Sequence, residues 1–252
     1  MNKAVNVINI TRYQGKNCSR IEDYIAVEKK LKISVNRKNL LNLYCSPSMI
    51  KELVAGLLYT GGFVINKISP EQIRIADGKE IRVNLNTAGD ILKEGLTISR
   101  CLGGIILHKK RTFRKIKDDF LISAKTFKTL FSEFQQRTEL FRLTGCFHSA
   151  ALSDGVSILA FAEDIGRHNA VDKVVGYCIL NDIPFEKKLM LVSCRLSSEI
   201  VSKCSACRIP VLVSRSAPTD LAIDIAEQTG ITLIGFARED RMNVYTNPQR
   251  II

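Results

Sequence analysis

Three short apolar runs near the C-terminus, L-M-L-V-S (189–193), P-V-L-V-S (210–214) and I-T-L-I-G-F (231–236), restrict the fold more than any other feature. Each has the length of a strand. None shows the polar alternation of a strand with one wet face, so each reads as buried on both sides. Between them lie S-S-E-I-V-S-K-C-S-A-C and A-P-T-D-L-A-I-D-I-A-E-Q-T, which read as helices, the second closed by Gly230. Strands alternating with helices in this way build an α/β layer with parallel crossovers.

The rest of the chain fits around that layer. The run C-F-H-S-A-A-L-S-D-G-V-S-I-L-A-F-A reads as a hairpin turning at Asp154-Gly155, and it leads into a helix of about residues 167 to 181. Phe127, Leu130, Phe131 and Phe134 recur at i, i+3, i+4, i+7, the spacing of a helix that packs on a core. Residues 23 to 45 alternate as strands. Ser46-Pro47 predicts a helix start with Ser46 as N-cap, and Gly61-Gly62 supplies a left-handed end. Then Q-I-R-I-A-D-G-K-E-I-R-V-N-L reads as a hairpin turning at Asp77-Gly78. Between 96 and 120 the patterning fails, which predicts a loop carrying Cys101. The expected organisation is a small α+β N-terminal domain over 1–95, a mobile loop over 96–120 and an α/β domain over 121–252.

The net charge of +12 favours anionic partners. Six basic residues fall between Lys109 and Lys117, either a solvated loop face or an anion-attracting one. No apolar run approaches the roughly 20 residues of a membrane-spanning helix. The first residues lack the apolar segment of a signal peptide. A soluble cytoplasmic protein is expected, with its eight cysteines mostly reduced.

Three polar segments fall at carboxyl ends of predicted strands, where ligands of open α/β sheets bind. They are E-D-I-G-R-H-N-A-V-D-K (163–173), S-C-R-L-S-S-E (193–199) and F-A-R-E-D-R (236–241). Asp164 and Gly166 suit a helix cap. Arg167 and His168 do not, because cations in a first helical turn oppose the dipole, and their presence points to an anionic partner. His148, on the preceding hairpin, is a weaker candidate for the same cleft. Zinc deaminases place a His or Cys and a Glu two residues on at one helix start, and two cysteines at the next. Here Ala170 follows His168 at that spacing, and the next helix start holds only Cys194; Cys204 and Cys207 sit inside a helix. No resident metal is therefore expected. Cys101, in I-S-R-C-L-G-G, stands beside Arg100 and ahead of the basic run, where cations favour a thiolate.

E-D-I-G-R-H-N-A-V-D-K-V-V-G resembles the hallmark of the formate dehydrogenase accessory sulfurtransferases, the FdhD family. So do T-G-C-F-H-S-A-A (144–151), S-C-R-L-S-S-E-I-V-S-K (193–203), S-A-P-T-D-L-A-I-D-I-A-E (216–227) and G-F-A-R-E-D-R-M-N-V-Y-T-N-P-Q-R-I (235–251); the N-terminal S-P-S-M-I-K-E-L-V-A-G-L-L-Y (46–59) also fits, and the resemblance covers roughly residues 23 to 251. The resemblance implies a cytidine-deaminase-like α/β fold without the zinc. It also implies a function: sulfur taken as a persulfide from a cysteine desulfurase and passed to the molybdenum (or tungsten) bis(molybdopterin guanine dinucleotide) cofactor of formate dehydrogenase. By the same resemblance Cys101 carries the persulfide and Phe236, Ala237, Arg238, Glu239, Asp240 and Arg241 hold the cofactor, with Arg167 and His168 on the same cleft. A homodimer that meets the formate dehydrogenase catalytic subunit is implied too, with no membrane or nucleic acid partner. Where many members carry a second cysteine, this chain has Gly104. A non-catalytic cofactor- or nucleotide-binding chaperone on the same fold is the alternative.

Overall fold

The computed structural model describes residues 4–36, 38–62, 69–76, 81–85, 97–101, 104–108, 115–238 and 241–252. Its centre is a six-stranded mixed sheet in the order β10-β9-β11-β12-β13-β14. These strands are β9 (His148–Ser153), β10 (Ile158–Asp164), β11 (Leu189–Val192), β12 (Val211–Ser214), β13 (Thr232–Gly235) and β14 (Asn243–Thr246). The three apolar runs form the parallel strands β11, β12 and β13, as their composition requires. Strands β9, β10 and β14 run antiparallel to their neighbours. β14 was not foreseen, since its sequence is short and polar; it closes the sheet at the edge beside β13.

Helices cover both faces. On one lie α4 (Arg167–Leu180), α5 (Ser198–Ala206) and α6 (Asp220–Thr229), which bury Val171, Val174, Ile200, Val201, Ala222 and Ala226 against the sheet. On the other lies α2 (Ala124–Gln136), whose Phe127, Leu130, Phe131 and Phe134 are all buried as the helical spacing predicts. A short α3 (Glu139–Thr144) follows, ended by Gly145 in the left-handed conformation. No helix among the described residues is long and apolar enough to cross a membrane.

The N-terminal unit has its own core. β3 (Lys29–Val35), β4 (Lys38–Cys45), β5 (Ile73–Ala76) and β6 (Ile81–Leu85) form a sheet ordered β4-β3-β6-β5, covered by α1 (Ile50–Thr60). β5 and β6 pair as the expected hairpin; its Asp77-Gly78 turn lies outside the described residues. Before this sheet, β1 (Val5–Gln14) and β2 (Asn17–Ala26) pair as an exposed two-stranded ribbon.

Two local expectations are corrected. α1 starts at Ile50 with Met49 as N-cap, and Ser46 makes no cap, because its side chain is bonded elsewhere. At the other end Gly61 is right-handed, and Gly62 takes the positive φ of 79°. Residues 97–108, expected as loop, contain β7 (Thr97–Cys101) and β8 (Gly104–His108), an antiparallel pair with Cys101 opposite Gly104. β8 packs against β4, α1 and α4. Glycines close to Cys101 hid this hairpin from pattern reading.

α1 crosses α4 at Gly56 and Gly176. A Cβ on Gly56 would lie 1.8 Å from the carbonyl oxygen of Asp172, and one on Gly176 1.7 Å from that of Glu52. The two backbones touch, and only glycine permits that approach.

Candidate functional site

Strands β10, β11, β12 and β13 end at one edge of the sheet, and antiparallel β9 and β14 begin there. All three polar segments converge on that edge. A cavity of about 580 Å³ opens beside it, between the α2–α3 segment and the loops after β11 and β12. Arg142, Cys146, His148, Ser193 and Arg215 line it with Phe134, Phe141 and Phe147. Aromatic faces beside two arginines suit a ligand with a flat ring and an anionic group. His148 is the weaker sequence candidate that the fold places on this wall. Burial chiefly, and then Arg167, hold its imidazole below the ordinary pKa, against a smaller pull from Asp164.

The loops of this edge are tied to one another. Ser214 Oγ donates to Cys194 O at 2.5 Å, Ser216 Oγ to Ser193 O at 3.4 Å, and Ser193 N to Ser149 O at 3.0 Å. The third polar segment joins them. Phe236 has a positive φ of 51°, Phe236 N donates to Ser216 O and Ala237 N to Ser214 O. The Arg238 guanidinium donates to Arg215 O at 2.7 Å, which sets Arg238 beside the cavity wall. Arg241 is exposed and its carbonyl accepts from Arg238 N. Glu239 and Asp240 lie outside the described residues.

The E-D-I-G-R-H-N-A-V-D-K segment turns out to be mostly a buried polar knot. Glu163 accepts from the backbone N–H groups of Leu140 and Phe141 at 3.0 and 3.1 Å, holding the start of α3 and so one wall of the cavity. Asp164 pairs with Lys173 at 2.6 Å, both side chains wholly buried. It also accepts from Ser46 Oγ, Asn169 Nδ2 and Gly166 N. Asn169 reaches on to Tyr44 O, and Lys173 to Ser46 Oγ. Asp172 pairs with Lys203 at 2.7 Å and accepts from Thr60 Oγ1 at 2.7 Å. Unpaired charges are expensive to bury; here Asp164 and Asp172 each have a lysine and further hydrogen bonds, and Glu163, whose pKa burial raises, is held by hydrogen bonds from Leu140, Phe141 and Ser149. The segment thereby ties the N-terminal unit, α3 and α5 to one helix. Sequence reading missed this role because the partners, Tyr44, Ser46, Thr60 and Lys203, carry no local sign of it.

Arg167 and His168 occupy the first turn of α4. Arg167 is half-buried. His168 is wholly buried, neither ring nitrogen has a hydrogen-bond partner, and its pKa is pushed down to about 3, first by burial and then by Lys203 and Arg167. Its ring is thus not on the cavity surface in this conformation.

The cysteines divide clearly. Cys45, Cys178 and Cys194 are buried, with pKa values raised to about 12 chiefly by burial, and Cys204 is shifted the same way for the same reason. These are small core side chains. Cys18 and Cys146 are exposed. The backbone of Cys101 ends β7 at the tip of its hairpin. Among the described residues no group of three His, Cys, Asp or Glu side chains is placed to hold a metal ion.

The chain resembles sulfur carrier proteins over nearly its whole length. It is 35% identical to the sulfur carrier protein FdhD of Bacillus pumilus, covering 91% of this chain and 90% of that one. It is 34% identical to that of Bacillus subtilis, covering 99% and 98%. In three dimensions it matches the crystal structure of a protein from Desulfotalea psychrophila assigned as a formate dehydrogenase accessory protein. That match has a TM-score of 0.79 at 24% identity and covers 99% of this chain and all of the other, so the mixed α/β fold is shared. The FdhD/NarQ family model matches residues 26–252, which takes in every element from β3 onward, and the chain belongs to that family.

Proposed function

We propose that this protein accepts sulfur from a cysteine desulfurase as a persulfide on Cys101 and transfers it to the molybdenum (or tungsten) bis(molybdopterin guanine dinucleotide) cofactor required by formate dehydrogenase. The cofactor is the substrate, not a resident group. The observation that carries the reading is the cavity of about 580 Å³ at the sheet's carboxyl edge, with Arg142 and Arg215 on its wall and Arg238 bonded beside it. Guanidinium groups recognise phosphate oxygens by paired, charge-assisted hydrogen bonds. The 236–241 segment and Arg167 hold the dinucleotide, with His168 next to Arg167 in the same helical turn. The helix-covered mixed sheet supports describing the domain as a deaminase-like layer. A homodimer in the cytoplasm, meeting the formate dehydrogenase catalytic subunit, completes the reading.

The test is to incubate the protein with a cysteine desulfurase and cysteine, then map the modified peptides by mass. Cys101 should gain one sulfur atom, and Cys101→Ala should abolish formate dehydrogenase activation in cells. Full activation by Cys101→Ala would instead favour a non-catalytic cofactor chaperone.

A further inference from the structure

Cys146 enters none of the chemistry assigned so far, yet it stands on the cavity wall. Residues 146 and 147 link the left-handed Gly145 to β9, which begins at His148. Cys146 is exposed, Phe147 is buried and His148 is half-buried. Two residues apart in the chain, Cys146 and His148 both line the cavity. The backbone there is held: Cys146 N donates to Thr144 Oγ1 at 3.1 Å, and Ser149 N to Ser193 Oγ at 2.9 Å. Arg142 and Arg215 share the lining, while Glu163, the nearby acid, is engaged by Leu140, Phe141 and Ser149.

We propose that Cys146 and His148 form a second sulfur-accepting pair inside the cavity, which takes sulfane sulfur from an anionic persulfide. The inference rests on the sulfur-carrier reading but places the acceptor at a different thiol. His148 takes the proton of the Cys146 thiol. The thiolate attacks the terminal sulfur of a persulfide R–S–SH, the new S–S bond forms on Cys146, and the donor's own S–S bond breaks. The leaving thiolate RS⁻ recovers the proton from His148, so one persulfide and one thiol give one thiol and one persulfide, with no external oxidant. The neutral state that burial and Arg167 impose on His148 is the one a proton acceptor needs. Arg142 and Arg215 supply the positive field for an anionic donor. That donor is either the Cys101 persulfide or a free low-molecular-weight persulfide; the chemistry at Cys146 is the same.

Cys18 is an internal control, because it is also exposed and its strand partner is Tyr13, not a histidine. The full chain is treated with glutathione persulfide, and in parallel with desulfurase and cysteine, and sulfur on each cysteine is followed by peptide mass. Cys146 should gain sulfur at least about tenfold faster than Cys18, and His148→Gln should remove most of that advantage, in line with loss of a general base. Loading of Cys146 from desulfurase in the parent but not in Cys101→Ser makes Cys101 the donor. Loading from glutathione persulfide in both supports a free donor. The proposal is overturned if Cys146 loads no faster than Cys18 in the unaltered chain, a comparison that needs no variant to fold. Cys101 loading without Cys146 loading sinks this inference and leaves the proposed function intact; Cys146 loading without Cys101 loading does the reverse.

Discussion

Replacing Gly176 by alanine should strongly destabilise the protein, although alanine is the better helix former by about 1 kcal/mol. The new Cβ would lie 1.7 Å from Glu52 O and 2.5 Å from Glu52 C. Ordinary contact needs about 3.4 Å, so α1 and α4 must part by well over an ångström at the crossing. Overpacking of this kind costs about 1–3 kcal/mol alone. The separation also strains hydrogen bonds that span the same interface. Thr60 Oγ1 sits 2.7 Å from Asp172, Ser46 Oγ 3.0 Å from Asp164, and Asn169 Nδ2 2.9 Å from Tyr44 O. Lengthening them by that amount takes each beyond bonding range, and each bond to a charged group contributes about 1.5–3 kcal/mol. A loss of about 4 kcal/mol or more follows, a large share of a typical domain's stability. Urea unfolding at equilibrium measures it, with a melting midpoint lower by roughly 10 °C as the companion reading. If Gly176→Ala is as stable as the parent, the backbone contact between α1 and α4 is not there.

Lys173→Met should cost about 3–5 kcal/mol in the same unfolding assay, because it strands the Asp164 carboxylate 0% exposed; Asp164→Leu added to it should recover part of that loss. Stability should fall as pH drops from about 6.5 toward 3. His168 has an ordinary value of 6.5 and a folded one of about 3, and His148 shifts the same way, so the unfolded chain binds more protons in that window. The slope approaches about 1.4 kcal/mol per pH unit for His168, His148 adds in the same direction, and urea midpoints at pH 7 and pH 5 read it. Equal midpoints would mean that His168 is not buried. Arg215→Ala or Arg142→Ala should weaken GDP binding roughly 10- to 100-fold by calorimetry, the value of one charge-assisted hydrogen bond, with the urea midpoint unchanged. Unchanged GDP affinity in both would remove the cavity from the proposed cofactor site.

The α/β layer was legible because its signals are local. Apolar runs of strand length, the phenylalanine spacing of α2 and the Gly230 end of α6 each follow from a few adjacent residues. So was the sheet edge that gathers the polar segments, since chain order alone puts strand ends together. What escaped was long-range. Ser46 looks like a helix cap because Pro47 follows it, yet a buried Lys173 claims its hydroxyl from 127 residues away. The ribbon β1–β2 escaped for another reason: most of its side chains are exposed and none is buried, so no core imposes a pattern. His148 was weighed as a lone strand histidine, and only the fold shows that Cys146, Ser193 and Arg215 share its cavity.

The motif that looks most like an active centre is therefore chiefly a structural joint. Its acids and lysine are consumed in bonds at 2.6 to 3.1 Å to three other parts of the chain, which leaves no carboxylate of Glu163, Asp164 or Asp172 idle for acid–base work. The joint also bears on the proposed chemistry. β8, which pairs with the strand that Cys101 ends, packs on α1, α4 and β4, the same elements that the Asp164–Lys173 knot and the Gly56–Gly176 contact lock together. Glu163 meanwhile fixes α3 against the cavity. One eleven-residue segment thus ties together the elements on which β8 packs and a wall of the cavity, and it does so through buried, hydrogen-bonded charges that leave little freedom to drift.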